Sequence, residues 1–268
     1  METPGTLLRR LRESGPLIQC LTNYVAMDLS ANALLALGAS PAMVHAEEEA
    51  AEFASLAQGL LVNIGTLSPR WVSAMASASR VAVQRGIPVV LDPVAAGATN
   101  YRKDSAAKLL PHTSIVRGNG SEIMAVAGGV ARSKGVDSGD DSSAARTLAE
   151  AFARSRSDGP TTDPLLVAIT GEVDLLTDGT RTFRVFGGSS TMTRVTAMGC
   201  ALSAAVAAGA AVAEDRFDGA LAALAWWKWA GAEAARSAKG PASFRVAFID
   251  ALFTMTPTDA DEVDIEPA

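Results

Sequence analysis

Cysteine and histidine are scarce in this chain: Cys20, Cys200, His45 and His112 are the only examples among 268 residues. Two distant cysteines make no disulfide framework, so a reducing cytoplasm is the expected compartment. Two histidines make a His-rich metal site or a Ser-His-Asp triad hard to assemble. Any metal is therefore expected to be a hard cation held by carboxylates. No dense Lys/Arg run occurs, and the formal net charge is −6. Sequence-blind binding to nucleic acid relies on such runs to release counterions, which sets that partner aside. The longest uncharged apolar run, roughly residues 201–213, is too short to span a bilayer, and the charged start METPGTLLRRLRES shows no signal-peptide core. Also missing are a GxxxxGK[ST] phosphate loop, a GxGxxG opening a helix behind a strand, and a GxSxG nucleophile elbow. A nucleotide, if bound, is held in some other way.

What is present describes a folded chain. Hydrophobic residues reach 49% and charged ones 19%, too apolar for disorder. The length suits one large α/β domain, expected over 1–268, with an acidic tail after Pro257 expected to fray. Short β-type runs alternate with helical stretches. Strands are read at 16–22, 39–44, 59–65, 87–93, 113–119 and 165–170. Helices are read at 25–37, 47–57, 68–86 and near Ser121–Ala127, the third with Pro near its start and Gly at its end. VDLLTDG and RTFRVFGG form a hairpin pattern around Asp178-Gly179. The polar stretches 132–143 and 154–164 read as exposed loops flanking a helix, and the chain from Gly199 onward reads as mostly helical. Apolar strands alternating with helices imply a mostly parallel sheet covered on both faces.

In such a sheet, ligands bind at the carboxyl ends of the strands. Asn23, residues 43–45, Asn63, Asp92, Arg117 to Glu122 and Thr170-Gly171 all fall there. The most informative stretch is TMTRVTAMGCALSAAVAA (191–208), where a turn of small residues opens an alanine-rich helix. The first turn of a helix leaves N–H groups unpaired and favours negative charge, so the corner at Gly199-Cys200 joins an anion site to a thiol. That electric environment also favours thiolate; alternatively, Cys200 is a small buried hydrophobe. Asp92 either points into a crevice or caps the turn after its strand. Glu122 either joins Asp92 in holding Mg²⁺ through water or merely opens a helix. Arg117 either forks onto phosphate or pairs on the surface. Thr170-Gly171 could meet phosphate or ribose, and by itself is a turn signal. Met43 and Met198 read as core fillers, the Trp226, Trp227 and Trp229 cluster as packing or a subunit interface, and His45 before three glutamates as a solvated helix start.

TNYVAMDLSANALLALGASPAM (22–43), LDPVAAGAT (91–99), RGNGSEIMAVAG (117–128), ITGEVDLLTDG (169–179), the Gly199-Cys200-Ala201-Leu202-Ser203 turn and GPASF (240–244) together resemble the hydroxyethylthiazole kinase family over nearly the whole chain. The resemblance implies a ribokinase-like three-layer sandwich and a homotrimer with active sites between subunits. It also implies transfer of the ATP γ-phosphate to the primary alcohol of 4-methyl-5-(2-hydroxyethyl)thiazole, a thiamine salvage step. By position, Met43, Gly199 and Asn23 match thiazole-contacting residues, Arg117 and Thr170 match ATP-contacting ones, and Asp92 and Glu122 match acids near Mg²⁺. Cys200 matches the catalytic position. The sequence departs from the pattern in two places: Ala197-Met198 stands where Gly-Thr is usual, and Ala95 replaces the first usual Gly of DPVGAGAT. A Cβ at 197 is expected to resist positive φ, altering the turn while Met198 narrows the pocket. Competing readings are a ribokinase-like kinase of another small alcohol such as hydroxymethylpyrimidine, a thiol hydrolase using Cys200, and a nucleotide-binding regulator without turnover.

Overall fold

The computed structural model describes residues 1–128, 141–155 and 164–268; the two polar loop stretches lie largely outside them. The elements run α1 (Pro4–Ser14), β1 (Leu17–Leu21), α2 (Met27–Leu37), β2 (Ser40–Ala42), α3 (Ala50–Ala54), β3 (Gly59–Asn63), α4 (Pro69–Gln84), β4 (Val89–Asp92) and α5 (Asn100–Leu109). Then come β5 (Ile115–Gly118), α6 (Gly120–Val126), α7 (Asp141–Arg154), β6 (Leu166–Ile169), β7 (Asp174–Thr177) and β8 (Thr182–Val185). The chain closes with α8 (Met198–Val212), α9 (Arg216–Ser237), α10 (Pro241–Thr254), α11 (Pro257–Asp261) and β9 (Ile265–Pro267).

One sheet has the order β2-β1-β3-β4-β5-β6-β7-β8-β9. It is parallel from β2 to β6 and antiparallel from there to β9. Side chains alternate across a strand, and the core divides accordingly. Ile18, Cys20, Leu61, Val90 and Ile115 pack with α1, α2, α8, α9 and α10 on one face. Leu60, Val62, Val89, Leu91 and Val116 pack with α4, α5, α6 and α7 on the other. That is a three-layer sandwich with a mostly parallel sheet, as the alternation of elements predicts.

The alanine-rich character of α8 has a steric cause. It crosses α9 so closely that a Cβ on Gly209 would lie 2.2 Å from the Gly219 carbonyl, and a Cβ on Gly59 of the sheet would lie 2.8 Å from that of Ala207. Small residues let the helix run between the sheet and α9. Trp226 and Trp227 are buried on α9, with Trp227 edge-on to Phe248 of α10 at 4.7 Å, so these two serve packing.

Four expectations are corrected. The tail is ordered: Thr256 caps α11 through the Asp259 amide at 3.2 Å, and β9 pairs with β8. The helix read at 47–57 shrinks to the five residues of α3. His45 does not open it; its Nδ1 lies 3.1 Å from the Met43 carbonyl oxygen, and its ring stands edge-on to Trp71 at 5.0 Å. The fourth concerns Ala197, which takes the left-handed conformation it was expected to resist, with φ 66°. Ala95 does the same at φ 53°. Among the described residues these are the only non-glycine residues with positive φ, and they are two of the positions at which the sequence departs from the pattern it resembles.

Holding a Cβ in that region costs about 1–2 kcal/mol, and packing on both sides of the turn offsets it. Met198 is sunk in the core and the Ala201 amide reaches the Ala197 carbonyl at 2.9 Å. Ala197→Gly is therefore expected to raise stability by about 1 kcal/mol, roughly 2–4 °C in melting temperature. The same change at Ala205, inside α8, should lower it. Thermal denaturation of both variants checks this, and a fall in melting temperature for Ala197→Gly contradicts the strain.

Candidate functional site

The carboxyl ends of β1, β3, β4, β5 and β6 meet the amino end of α8 at one corner. Asp92 closes β4 and is 1% exposed. Its Oδ2 accepts hydrogen bonds from Asn63 Nδ2 at 2.7 Å and Ser203 Oγ at 2.9 Å, and lies 3.8 Å from Arg117 Nη1. All three converge on one oxygen. Burial raises the Asp92 pKa to about 6, with Glu122 adding to the rise while Arg117, Ser203 and Asn63 oppose it.

Asn63, at the end of β3, has its amide orientation fixed from both sides. Its Oδ1 accepts from Asn23 Nδ2 at 2.8 Å and from the Gly65 amide at 2.9 Å, while its Nδ2 serves Asp92. Asn23 in turn donates to Cys200 Sγ at 3.3 Å and accepts from the Ala26 amide at 3.0 Å. A continuous polar chain thus joins Cys200, Asn23, Asn63, Asp92 and Ser203. The sequence contained a signal for Ser203: it is the one hydroxyl in an apolar helix, three residues after Cys200 and so on the same face.

Arg117 leaves β5 and lies across the first turn of α8. Its Nη2 donates to Thr170 Oγ1, just past β6. Gly199 lets the guanidinium lie this close: a Cβ at that position would stand 2.8 Å from Arg117 Nη1 and push the side chain aside. The guanidinium Nε is buried without a hydrogen-bond partner. A buried donor left unpaired is costly, so the unused N–H and the orphan amides of the α8 first turn describe a place for an anion. No acidic residue occupies that turn.

Cys200 does not behave as an exposed thiolate. Burial first, and the Asp92 charge second, push its pKa up to about 11, against hydrogen bonds from Asn63 and Asn23 and the charge of Arg117. The thiolate expected at the helix terminus is not what the surroundings favour: loss of water and a neighbouring carboxylate hold the thiol protonated. This removes the main support for a thiol hydrolase.

Glu122 has structural duties as well as charge. Its Oε2 accepts from the Asn119 amide at 2.9 Å, closing a capping box on α6, and its Oε1 accepts from the Ala95 amide at 3.0 Å. It therefore holds the turn in which Ala95 has positive φ. Among the described residues no group of three or more His, Cys, Asp or Glu side chains could hold a metal. A cation here would rest on Asp92 and Glu122 with water and phosphate oxygens.

Two cavities share this corner. One of about 260 Å³ is lined by Asp92, Glu122, Arg117, Met198, Gly199 and Cys200. The other, about 660 Å³, runs from Arg117 and Thr170 along Gly171, Gly187, Gly188 and Lys228. Asp92, Glu122, Arg117, Thr170, Gly199, Cys200 and Asn23 are thus brought together through these cavities and the polar chain. Met43 lines neither; it follows edge strand β2, half-buried against the core. Met198 lines the smaller cavity, yet is itself buried in the core, so it shapes the wall without filling the space. α5, unread in the sequence, anchors the corner from outside: Arg102 donates to the carbonyls of Ile64, Gly65 and Val94 at 2.7, 2.8 and 2.9 Å. No helix among the described residues is long and apolar enough to cross a membrane.

The chain as a whole is similar to known proteins. Hydroxyethylthiazole kinases from Cereibacter sphaeroides and Rhizobium johnstonii are each 50% identical, over 97% of both chains for the first and 98% and 95% for the second. The solved hydroxyethylthiazole kinase of Pyrococcus horikoshii superposes with a TM-score of 0.88 at 37% identity, covering 99% of this chain and 98% of that one. Pyridoxal kinase from Staphylococcus aureus shares the fold alone, with a TM-score of 0.56 at 16% identity over 81% of this chain and 88% of its own. The model of the "HK: Hydroxyethylthiazole kinase family" matches residues 8–258. That span takes in every residue of the corner from Asn23 to Ser203, and the chain belongs to the hydroxyethylthiazole kinase family.

Proposed function

We propose that this kinase transfers the γ-phosphoryl group of ATP to the primary hydroxyl of 4-methyl-5-(2-hydroxyethyl)thiazole, giving the phosphooxyethyl product used in thiamine salvage. The observation that carries the reading is Arg117 lying over Gly199, with its Nε unpaired, at the helix terminus that also presents Cys200. Phosphoryl transfer through a loose transition state needs alignment and charge neutralisation more than a strong base. Arg117 and the α8 amides supply fixed positive character where the transferred group passes. Thr170 holds Arg117 and lines the larger cavity, the place for ATP. Cys200, steadied by Asn23, orients the acceptor hydroxyl in the smaller cavity.

The donor set fits Mg²⁺. Asp92 and Glu122 offer hard oxygens, and the hydrogen bonds to Asp92 gather on Oδ2, leaving Oδ1 for a cation or its water. When bound, Mg²⁺ would neutralise charge on the phosphates; Asn63 and Ser203 hold the Asp92 carboxylate in place for it. The chain acts as a single cytoplasmic kinase domain in a homotrimer. Tyr24 and Val25, large, exposed and directly after Asn23, support a neighbouring subunit at the thiazole side. Such a subunit would also bring Met43 into the site.

The test is ADP release from ATP and Mg²⁺ with hydroxyethylthiazole, alongside hydroxymethylpyrimidine. ADP release that depends on the thiazole alcohol is expected. Release with the pyrimidine alcohol and none with the thiazole contradicts the assignment.

A further inference from the structure

Lys228 is the only charged residue between Gly219 and Gly231, in an otherwise apolar stretch of α9 that carries three tryptophans. It is 5% exposed. Its Nζ donates to the carbonyl oxygens of Gly171 at 2.9 Å and Glu172 at 2.8 Å, and lies 3.1 Å from Asp174 Oδ1. Those three oxygens use all three ammonium hydrogens. Asp174 Oδ1 also accepts the Gly171 amide at 2.9 Å, so the turn from Thr170 to Asp174 is gathered around one buried cation.

The other flank of the same residue holds a second segment. The Lys228 carbonyl accepts the Gly188 amide at 3.0 Å. Gly187 and Gly188 have φ of 109° and 80°, and a Cβ on Gly188 would lie 3.2 Å from Lys228 Cδ. Both held segments, 170–174 and 187–188, line the 660 Å³ cavity with Arg117. A lone buried ammonium is expensive to desolvate. Here it is placed where two cavity walls, at the two ends of the β7–β8 hairpin, meet one side chain from a helix some forty residues further on.

We propose that Lys228 is a positioning residue for the nucleotide: its ammonium fixes the Thr170–Asp174 turn, and its backbone and stem fix the Gly187-Gly188 wall. The two walls are thereby held at the separation ATP requires. Lys228 does not itself grip phosphate, because its donors are already used. The effect reaches the nucleotide through Thr170, which holds the Arg117 guanidinium. The proposal rests on the reading of the larger cavity as the ATP site.

The experiment separates that reading from the proposal. ATP binding is measured by calorimetry without the thiazole, on the wild-type protein, Lys228→Met, and the double variant Lys228→Met/Asp174→Asn. The single variant leaves a buried carboxylate unpaired and can fail to fold; the double variant removes both charges and keeps the volumes. In the double variant, a melting temperature near wild type is expected together with ATP binding weaker by tenfold or more. Its KM for hydroxyethylthiazole should stay within about twofold. Lys228→Arg should recover part of the ATP affinity, having a cation but a different donor geometry. ATP affinity within twofold of wild type in a folded double variant overturns the proposal, as does a parallel rise in both KM values. Absence of ATP binding by the wild-type protein would instead overturn the reading of the cavity.

Discussion

Asp92→Asn is expected to lower kcat by roughly 10²–10³-fold, while leaving the protein as stable as the wild type or more so at pH 8. The catalytic loss follows from charge. Asn keeps an oxygen for the Asn63 and Ser203 donors, so the packing of the corner survives, but the anion facing Arg117 and available to Mg²⁺ is gone. The stability gain follows from burial. Asp92 has its pKa raised to about 6 mainly by desolvation, so between about pH 4 and 6 the folded state binds the proton that the unfolded state has already released. By linkage, stability then falls as pH rises through that window, and at pH 8 the buried charge costs on the order of 2–3 kcal/mol. Measured without Mg²⁺ or nucleotide, melting temperature should decline from pH 4 to 6 by more in the wild type than in Asp92→Asn. Unchanged turnover in Asp92→Asn would remove Asp92 from the site. A pH profile of stability identical in the two proteins would remove the buried charge as a cost.

Strand ends were the most legible part of the site. Asn23, Asn63, Asp92, Arg117 and Thr170 each follow an apolar run that could only be a buried strand. In a parallel sheet their carboxyl ends must lie together, so the corner followed from topology. The side-chain pairing within it did not. Nothing in spacing tells that Asn63 turns its amide nitrogen to Asp92 and its oxygen to Asn23, since hydrogen-bond direction depends on which donors the neighbouring strands present. Lys228 was hidden for the same reason: an ammonium on α9 is interpretable only once the carbonyls of 171 and 172, nearly sixty residues earlier, are beside it.

The elements that were missed share a weak local pattern. α5 reads NYRKDSAAKL and buries little besides Ser105, Ala106 and Leu109, so no apolar period of 3.6 announces it. β9 lies in acidic sequence, and its order comes from backbone pairing with β8, a contact over some eighty residues that composition cannot reveal. Ala197 differs from its local steric preference for another reason: that preference is outweighed by the buried Met198 and the helix behind it, so the turn takes a left-handed conformation without a glycine.

Cys200→Ala should lower kcat by about 10–100-fold with the KM for hydroxyethylthiazole within about threefold. Deleting the sulfur leaves Arg117, the α8 amides and both acids untouched; what is lost is the group that orients the acceptor oxygen. Because the thiol titrates only near pH 11, it stays protonated at neutral pH, and wild-type kcat should show no titration limb from Cys200 between pH 6 and 9. For the same reason iodoacetamide should label it slowly at pH 8. Cys200→Asp should retain or raise turnover. A carboxylate there can take the hydroxyl proton as the phosphoryl group leaves ATP, with Asn23 still able to donate to it. The charge of Asp92 would push that new carboxyl upward, toward the range where a base is useful, so Cys200→Asp should gain an acid limb that the wild type lacks. Equal turnover in wild type and Cys200→Ala would remove the orienting role. Rapid, selective alkylation at neutral pH would mean that the buried corner is open to water, and that the helix terminus prevails over burial after all.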